Sequence, residues 1–218
     1  MNDGILAIII QWCLLCVIWM GVLDRPLRRL GLHRTSGLAL VTVSLVCAFV
    51  HWQVYFFPVE INISGFLFPL LLAAWSWQFV SFRQKIFILL AASLTTVLLF
   101  FVRKLLFKDP VLLIFDELAM YPVLTVVIFH FLSRNLVCHW FLLLVAVPLS
   151  DALFSLSFLE QTKRSVIGGE YQQDLFWLTV MVWGVVSTVW LAAANVFHLL
   201  GKRIVSVLPI KPKSTSDR

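Results

Sequence analysis

The chain has 218 residues, of which 61% are hydrophobic and 13% are charged, and its formal net charge is +6. A soluble domain carries about 25% charged residues, so this composition leaves more apolar surface than a soluble fold can bury. Apolar runs recur along the whole length and leave no stretch for a soluble catalytic domain. The bases occur in short clusters between these runs, a pattern typical of membrane topology signals and not of a nucleic-acid-binding surface.

Seven apolar segments approach or reach the length that a helix needs to cross a hydrocarbon core of about 30 Å. They cover residues 4–23, 37–57, 66–80, 86–102, 111–132, 136–158 and 175–200. The sequence therefore predicts an all-α fold, a polytopic transmembrane helical bundle of about seven spans. A bundle of six spans is the alternative, because the third segment is short. Residues 1–200 would form a single transmembrane domain, and residues 201–218 a basic cytoplasmic tail that we expect to be disordered.

The first segment is expected to remain in the mature protein as a helix, because no base precedes it and no small-residue cleavage site follows it. Cys13 and Cys16 within it have the spacing of a redox or metal pair. No His or second Cys pair lies nearby, so we interpret the cysteines as small apolar residues of lipid-facing helices.

The distribution of bases predicts the orientation, since Lys and Arg are retained on the cytoplasmic side. With seven spans, one side receives the bases of 24–34, 81–85, 133–135 and the tail, and the other side receives only those of 103–108 and 160–174. This predicts an N-terminus outside, a cytoplasmic C-terminus and a multi-pass protein of the cell membrane. The expected partners are the lipid bilayer and the anionic headgroups at the basic cytoplasmic loops, without nucleic acid.

Ionisable side chains inside the apolar runs are the costliest feature of the chain, because a charge at hydrocarbon depth persists only with a partner or a function. Asp116 lies several residues inside the fifth segment and Asp151 lies late in the sixth, so two antiparallel helices bring them to one level. Arg103 closes the fourth segment on the same, outer side and is their natural counter-ion. The predicted polar cluster comprises Asp116, Glu117, Asp151, Arg103, Lys104, His51 and Glu60.

Two functions are compatible with such a cluster. It can be a structural ion-pair network that holds the helices together, in a non-enzymatic structural or accessory membrane protein. The alternative is a small proton- or cation-coupled transporter that uses the intramembrane carboxylates. An enzyme is not predicted, because no nucleophile, phosphate-loop or metalloprotease motif occurs. No catalytic residue, metal or cofactor is therefore assigned.

A stripe of small and weakly polar residues follows one face of the seventh segment. Such stripes let helix backbones approach each other in lipid, so we predict a helix-packing face with substrate contact as the alternative. Its members are Gly184, Thr188, Leu191, Asn195 and His198. A metal site built from the histidines near the cytoplasmic helix ends, His130, His139 and His198, is disfavoured.

The run Asp109-Pro110-Val111-Leu112-Leu113-Ile114-Phe115-Asp116 lies in a small many-span protein with a basic polar tail. In this setting it resembles the YphA-like family of integral membrane proteins in spore-forming Gram-positive bacteria. The resemblance covers about the central third of the chain. It implies a location in the cell membrane and supplies no catalytic or binding residue.

Overall fold

The computed structural model describes residues 3–50, 52–108, 116–133, 135–159 and 163–207, with the side chains of residues 83 and 191–207 left out. These residues form a mostly helical protein, which confirms the predicted helical class. The α-helices are α1 (Ile5–Trp19), α2 (Asp24–Arg29), α3 (Arg34–Val50), α4 (Phe68–Ser76), α5 (Phe82–Lys108), α6 (Glu117–Leu132), α7 (Leu136–Ser157) and α8 (Glu170–Val207). A π-helical turn, Ile63–Leu67, leads into α4, and a 3₁₀ turn, Trp77–Phe79, follows it.

Two helices in the described part of the chain are long and apolar enough to cross a membrane, whereas the sequence predicts seven spans. They are Gln84–Lys108, within α5, and Leu136–Ser157, which is α7. Four shorter apolar helices accompany them: Ile5–Trp19, Arg34–Val50, Ile63–Phe79 and Glu117–Leu132.

The second predicted span is too long, because α3 ends at Val50 and the chain then forms a β-hairpin. Strands β1 (Gln53–Phe56) and β2 (Val59–Asn62) pair antiparallel, with Gln53 opposite Asn62. Val, Ile, Tyr and Phe are favoured in strands, and Pro58 cannot continue a helix, so this part of the apolar run is extended.

A third strand completes a small mixed sheet. Strand β3 (Ser165–Ile167) pairs parallel with β2, and the strand order is β1-β2-β3. The strands follow α3, precede α4, and lie between α7 and α8 in the chain. The sheet therefore marks one end of the bundle, the end that the sequence assigns to the outside.

Helix α7 lies at the centre of the hydrophobic core. Its residues Leu142, Leu143 and Val147 are fully buried, and α4, α5 and α6 pack against it. On the other side of the core, α1 packs against α3. The core thus consists mainly of aliphatic contacts to one central helix.

Two glycines bring the sheet end of the bundle together. A Cβ built on Gly65, in the π-helical turn, would overlap the backbone carbonyl of Gly168, which follows β3. Gly168 also has a φ of 72°, a conformation that glycine adopts without the steric cost of a side chain. The two turns are in backbone contact, which only glycine permits at Gly65.

The chain divides into two compact units, Met1–Trp183 and Gly184–Arg218, whereas the sequence predicts one domain over residues 1–200. The tail prediction is wrong for residues 201–207, because α8 continues to Val207. Their apolar residues and the absence of proline allow the helix to extend past Gly201. Residues 208–218 lie outside the described part of the chain.

Candidate functional site

Arg103 is the centre of a buried ion-pair cluster at the sheet end of the bundle. It lies near the end of α5 and is only 6% exposed. Its Nη1 donates to Asp151 Oδ1 at 2.6 Å and to Gln172 Oε1 at 3.3 Å, and its Nε donates to Glu117 Oε1 at 3.1 Å. We call Arg103, Glu117, Asp151 and Gln172 the outer cluster. One guanidinium thereby links α5, α6, α7 and the start of α8.

Asp151 has a partner for each carboxylate oxygen. The residue is 4% exposed. Its Oδ1 accepts from Arg103, and its Oδ2 accepts from the backbone N–H of Gly168 at 2.8 Å. Gln172 is fixed as well, because its Nε2 donates to the carbonyl of Val147 at 3.2 Å. A buried charge is tolerated when it is paired and hydrogen-bonded in this way.

Two aromatic rings cover the guanidinium of Arg103. Its Cζ lies 4.4 Å from the ring centre of Phe154 and 5.6 Å from that of Tyr171, within the range of cation–π attraction. Burial raises the pKa of the Tyr171 phenol, and the neighbouring Glu117 carboxylate raises it further. The phenol is therefore neutral beside the cluster.

A second polar contact joins α6 to α7. The hydroxyls of Tyr121 and Ser150 are 2.8 Å apart, and both side chains are buried. Ser150 precedes Asp151, so this contact lies directly beside the outer cluster. It adds a neutral hydrogen bond to the same helix pair.

A residue in the first turns of α8 also caps the N-terminus of α1. Asp174 Oδ2 accepts from the backbone N–H of Gly4 at 2.9 Å, and its Oδ1 accepts from that of Ala7 at 2.6 Å. A carboxylate at this position satisfies free N–H groups and complements the positive end of the helix dipole. Asp174 therefore caps the N-terminal turn of α1 from a distant part of the chain.

Sequence reasoning missed this set of residues because it treated 160–174 as a polar loop. Helix α8 begins at Glu170, and the side chains of Gln172, Gln173 and Asp174 are buried. Gln173 Oε1 accepts from the hydroxyl of Ser64 at 3.4 Å, which ties α8 to the π-helical turn. A run of amides and an acid after Gly168-Gly169 was the available signal for a buried polar helix start.

The predicted polar cluster is brought together in part. Arg103, Glu117 and Asp151 are in contact, as described above. Asp116 is an exposed residue before α6, and its side chain does not cap that helix. Lys104 Nζ lies 5.3 Å from the Phe100 ring, within the same helix, and makes no ion pair within the described residues.

Two further members of the prediction lie elsewhere or outside the description. Glu60 is a half-buried residue of β2, opposite Tyr55 in the hairpin. His51 lies outside the described residues. Among the described residues the cluster is thus smaller than predicted, because Glu60 lies in the sheet and neither Asp116 nor Lys104 pairs with Arg103.

The predicted packing stripe begins in α8 without a close neighbour. A Cβ built on Gly184 would meet no described atom within 4 Å, and the hydroxyl of Thr188 donates to the carbonyl of Gly184 in its own helix at 2.9 Å. The side chains of Leu191, Asn195 and His198 lie outside the description. Close backbone approach is therefore not seen at Gly184.

Metal binding is not favoured by the arrangement of potential ligands in the described ranges. No group of three or more His, Cys, Asp or Glu residues there is placed to hold an ion. The rings of His130 and His139 are 4.8 Å apart, and His139 Nε2 contacts the carbonyl of Ser133. These two histidines lie at the other end of α6 and α7 from the outer cluster.

The outer cluster carries two carboxylates and one guanidinium. Asp151 is held on both oxygens, whereas the Glu117 side chain remains 27% exposed. Glu117 is therefore the carboxylate of this site that water reaches. The fold and the site together define a mostly helical protein with a buried ion pair at one end.

Comparisons with protein-family models, with curated proteins and with solved structures find no match to this chain.

Proposed function

We propose that the chain is a multi-pass protein of the cell membrane with seven spans, an outer N-terminus and a cytoplasmic C-terminus. Helix α5 supports this proposal, because large apolar side chains at helical spacing are exposed along one of its faces. They are Phe87, Leu90, Leu94, Phe101 and Leu105. An apolar stripe of this length is not stable in water, and lipid is the solvent that it fits.

The shorter helices fit the same proposal. Helices α1, α3 and α6 have 15, 17 and 16 residues. At about 1.5 Å per residue they are about 5–8 Å shorter than a hydrocarbon core of about 30 Å, and the turns at their ends would lie at the interface. The sheet and the outer cluster would then lie beneath the outer surface.

We propose a non-enzymatic, structural or accessory role, in which the outer cluster clamps the helices together. The observation that carries this proposal is the full pairing of Asp151, whose two oxygens accept from Arg103 and from the Gly168 backbone. A carboxylate that must load and release a proton or cation has to be reached by it. Asp151 is 4% exposed and held on both oxygens, so a fixed structural role suits it better than turnover.

A thermal-unfolding measurement combined with a flux assay tests this role. We expect Asp151→Asn to lower the melting temperature of the purified protein in detergent, because Arg103 then loses a buried partner. Asp116→Asn is the matched control, because Asp116 is an exposed carboxylate beside Glu117 in the sequence. This variant should leave the melting temperature unchanged. A pH gradient across proteoliposomes with the wild-type protein should decay no faster than across empty vesicles.

The second candidate is a small proton- or cation-coupled transporter. The partial exposure of Glu117 favours it, because one carboxylate of the cluster is open to water while paired to Arg103. In that case the wild-type protein would dissipate the gradient, and Glu117→Gln would abolish the flux with little loss of stability. This result would replace the structural role by a transport role.

The resemblance to the YphA-like family remains a prediction of family membership. Its motif, residues 109–116, lies almost entirely outside the described residues. It supports the proposed location in the cell membrane and adds nothing to the role of the outer cluster.

A further inference from the structure

A cavity of about 260 Å³ lies where α2 meets the start of α3. Helix α1 begins at its Asp174 cap and ends at Trp19, so its length of about 22 Å separates that cap from the turn that leads into α2. The cavity is lined by residues with charged or polar side chains, namely Asp24, Arg28, His33, Arg34 and Thr35. None of these residues belongs to the outer cluster.

The charges of the lining leave one positive charge in excess, because two guanidinium groups face one carboxylate. Asp24 and Arg34 are close together: a Cβ built on Gly21 would lie 3.4 Å from Asp24 Oδ2 and 3.8 Å from Arg34 Nη1. Both side chains therefore lie beside Gly21 at the edge of the cavity, and no ion pair joins them in the described part of the chain. One phosphodiester, with its single negative charge, would neutralise this lining.

Hydrogen-bond donors at the cavity suit a phosphate group. Arg28 and Arg34 each present a planar set of N–H groups, and Thr35 adds a hydroxyl. The cavity also lies at the first turn of α3, which has 17 residues and no acidic residue in that turn. The positive end of this helix dipole adds to the attraction of the two guanidinium groups.

A second cavity of about 440 Å³ adjoins the first and shares Arg28 and His33 with it. Its other lining residues are Gly31 and the buried Leu32. Exposed apolar side chains precede α2 in the chain, namely Trp19, Met20 and Val22. Tryptophan and aliphatic side chains beside bases are typical of the headgroup layer of a membrane. A ligand with a phosphate and an apolar part fits this neighbourhood.

We propose that Arg28, His33, Arg34 and Thr35 form a binding site for the phosphodiester of an anionic lipid headgroup. The phosphate contacts the two guanidinium groups in the smaller cavity, and the remainder of the lipid extends past Gly31 and Leu32. This inference rests on the proposed membrane topology, in which the loop 20–33 is cytoplasmic. It assigns the expected attraction of basic residues to anionic headgroups to one defined binding site.

Lipid-dependent thermal stabilisation and native mass spectrometry of the purified protein test the site. The probes are phosphatidylglycerol, zwitterionic phosphatidylcholine and inorganic phosphate. We expect phosphatidylglycerol to raise the melting temperature and to remain bound in the gas phase. Phosphatidylcholine and inorganic phosphate should stabilise the protein far less and should bind far less. Equal stabilisation by inorganic phosphate would assign the site to soluble phosphate and overturn the lipid.

The variant R28Q/R34Q removes both guanidinium groups, and R25Q/R29Q is its matched control. The control removes the same charge from the same region, and Arg25 and Arg29 are exposed like Arg28 and Arg34 but line neither cavity. We expect R28Q/R34Q to weaken phosphatidylglycerol binding by about tenfold or more, since charge-assisted hydrogen bonds to the phosphate are lost. R25Q/R29Q should bind almost as the wild type does.

Equal losses in the two variants would overturn the site, because binding would then depend only on total charge. If R28Q/R34Q unfolds without lipid, the single variant Arg28→Gln carries the test, since Arg28 lines both cavities. Failure of the structural clamp would appear as an unchanged melting temperature of Asp151→Asn in the absence of added lipid. The two failures are therefore measured at opposite ends of the bundle and can be told apart.

Discussion

Arg103 was the residue whose partners could be predicted best from the sequence. A base and two acids inside apolar runs need each other, since an unpaired charge in a low-dielectric interior is costly. Helix direction and loop length were enough to place Arg103, Glu117 and Asp151 at one level. The Gly168 N–H and the Gln172 amide could not be predicted, because both follow a loop of uncertain course.

The two carboxylates of the outer cluster differ in how tightly they are held, and their contributions to stability should differ accordingly. We expect Glu117→Gln to cost about 1 kcal/mol, because a partly exposed ion pair is screened by water. Asp151→Asn should cost clearly more. Thermal unfolding of both variants, followed by tryptophan fluorescence, checks the order, and a larger loss for Glu117→Gln would contradict it.

Asp174 is expected to stabilise the first turn of α1 across the fold. Replacing Asp174 by Ala removes the acceptor of two backbone N–H groups and should cost about 1–2 kcal/mol, in the range of lost N-caps. Hydrogen exchange at Gly4 and Ala7 should accelerate in the same variant. Asp3→Ala, an exposed acid beside the same turn, serves as the control and should change neither quantity.

At the scale of elements, the apolar segments predicted helices but did not predict the three-stranded sheet. The hydropathy of residues 86–102 and 136–158 located α5 and α7, because both are long and strongly apolar runs. Residues 53–57 of the hairpin were predicted as the end of the second span, since most of them are apolar, and the rest of the hairpin fell between the second and third segments. The third strand lies far away in sequence, and parallel pairing over that distance leaves no local signal.

The contact between the π-helical turn and the β3–α8 turn depends on a missing side chain. Gly65→Ala should lower the melting temperature strongly, because the new Cβ would overlap the Gly168 carbonyl and force the turns apart. Gly169→Ala is the control in the same turn, since its Cβ would meet only Val166 Cγ1 at 3.7 Å. Equal melting temperatures for the two variants would show that the turns are not in contact.

At the scale of the whole molecule, the position of the outer cluster depends on the threading of the chain. With the N-terminus outside, the starts of α1 and α6, the sheet and the end of α5 all face the outer surface. A phosphatase reporter fused after Arg218 should therefore be inactive, and a fluorescent protein fused there should be bright. A bright reporter inserted at 57–58, in the hairpin loop, would contradict the orientation.

The domain organisation could be predicted only in outline. Composition and periodicity indicated one helical body, and the unit Met1–Trp183 contains every residue of the outer cluster. The end of that unit inside α8 could not be predicted, because the helix itself continues without a turn residue to Gly201. Hydropathy reports burial or lipid contact, and it does not separate these two environments.

The outer cluster holds the bundle together if Arg103 and Asp151 stabilise it as a pair, and a double-mutant cycle measures this most directly. The free energy of unfolding is compared for the wild type, Arg103→Gln, Asp151→Asn and the double variant in one detergent. Each single variant leaves a buried charge unpaired and should lose about 3–5 kcal/mol. The double variant should lose much less than the sum of the two single losses. Additive losses would mean that the two residues act independently, and they would contradict the clamp.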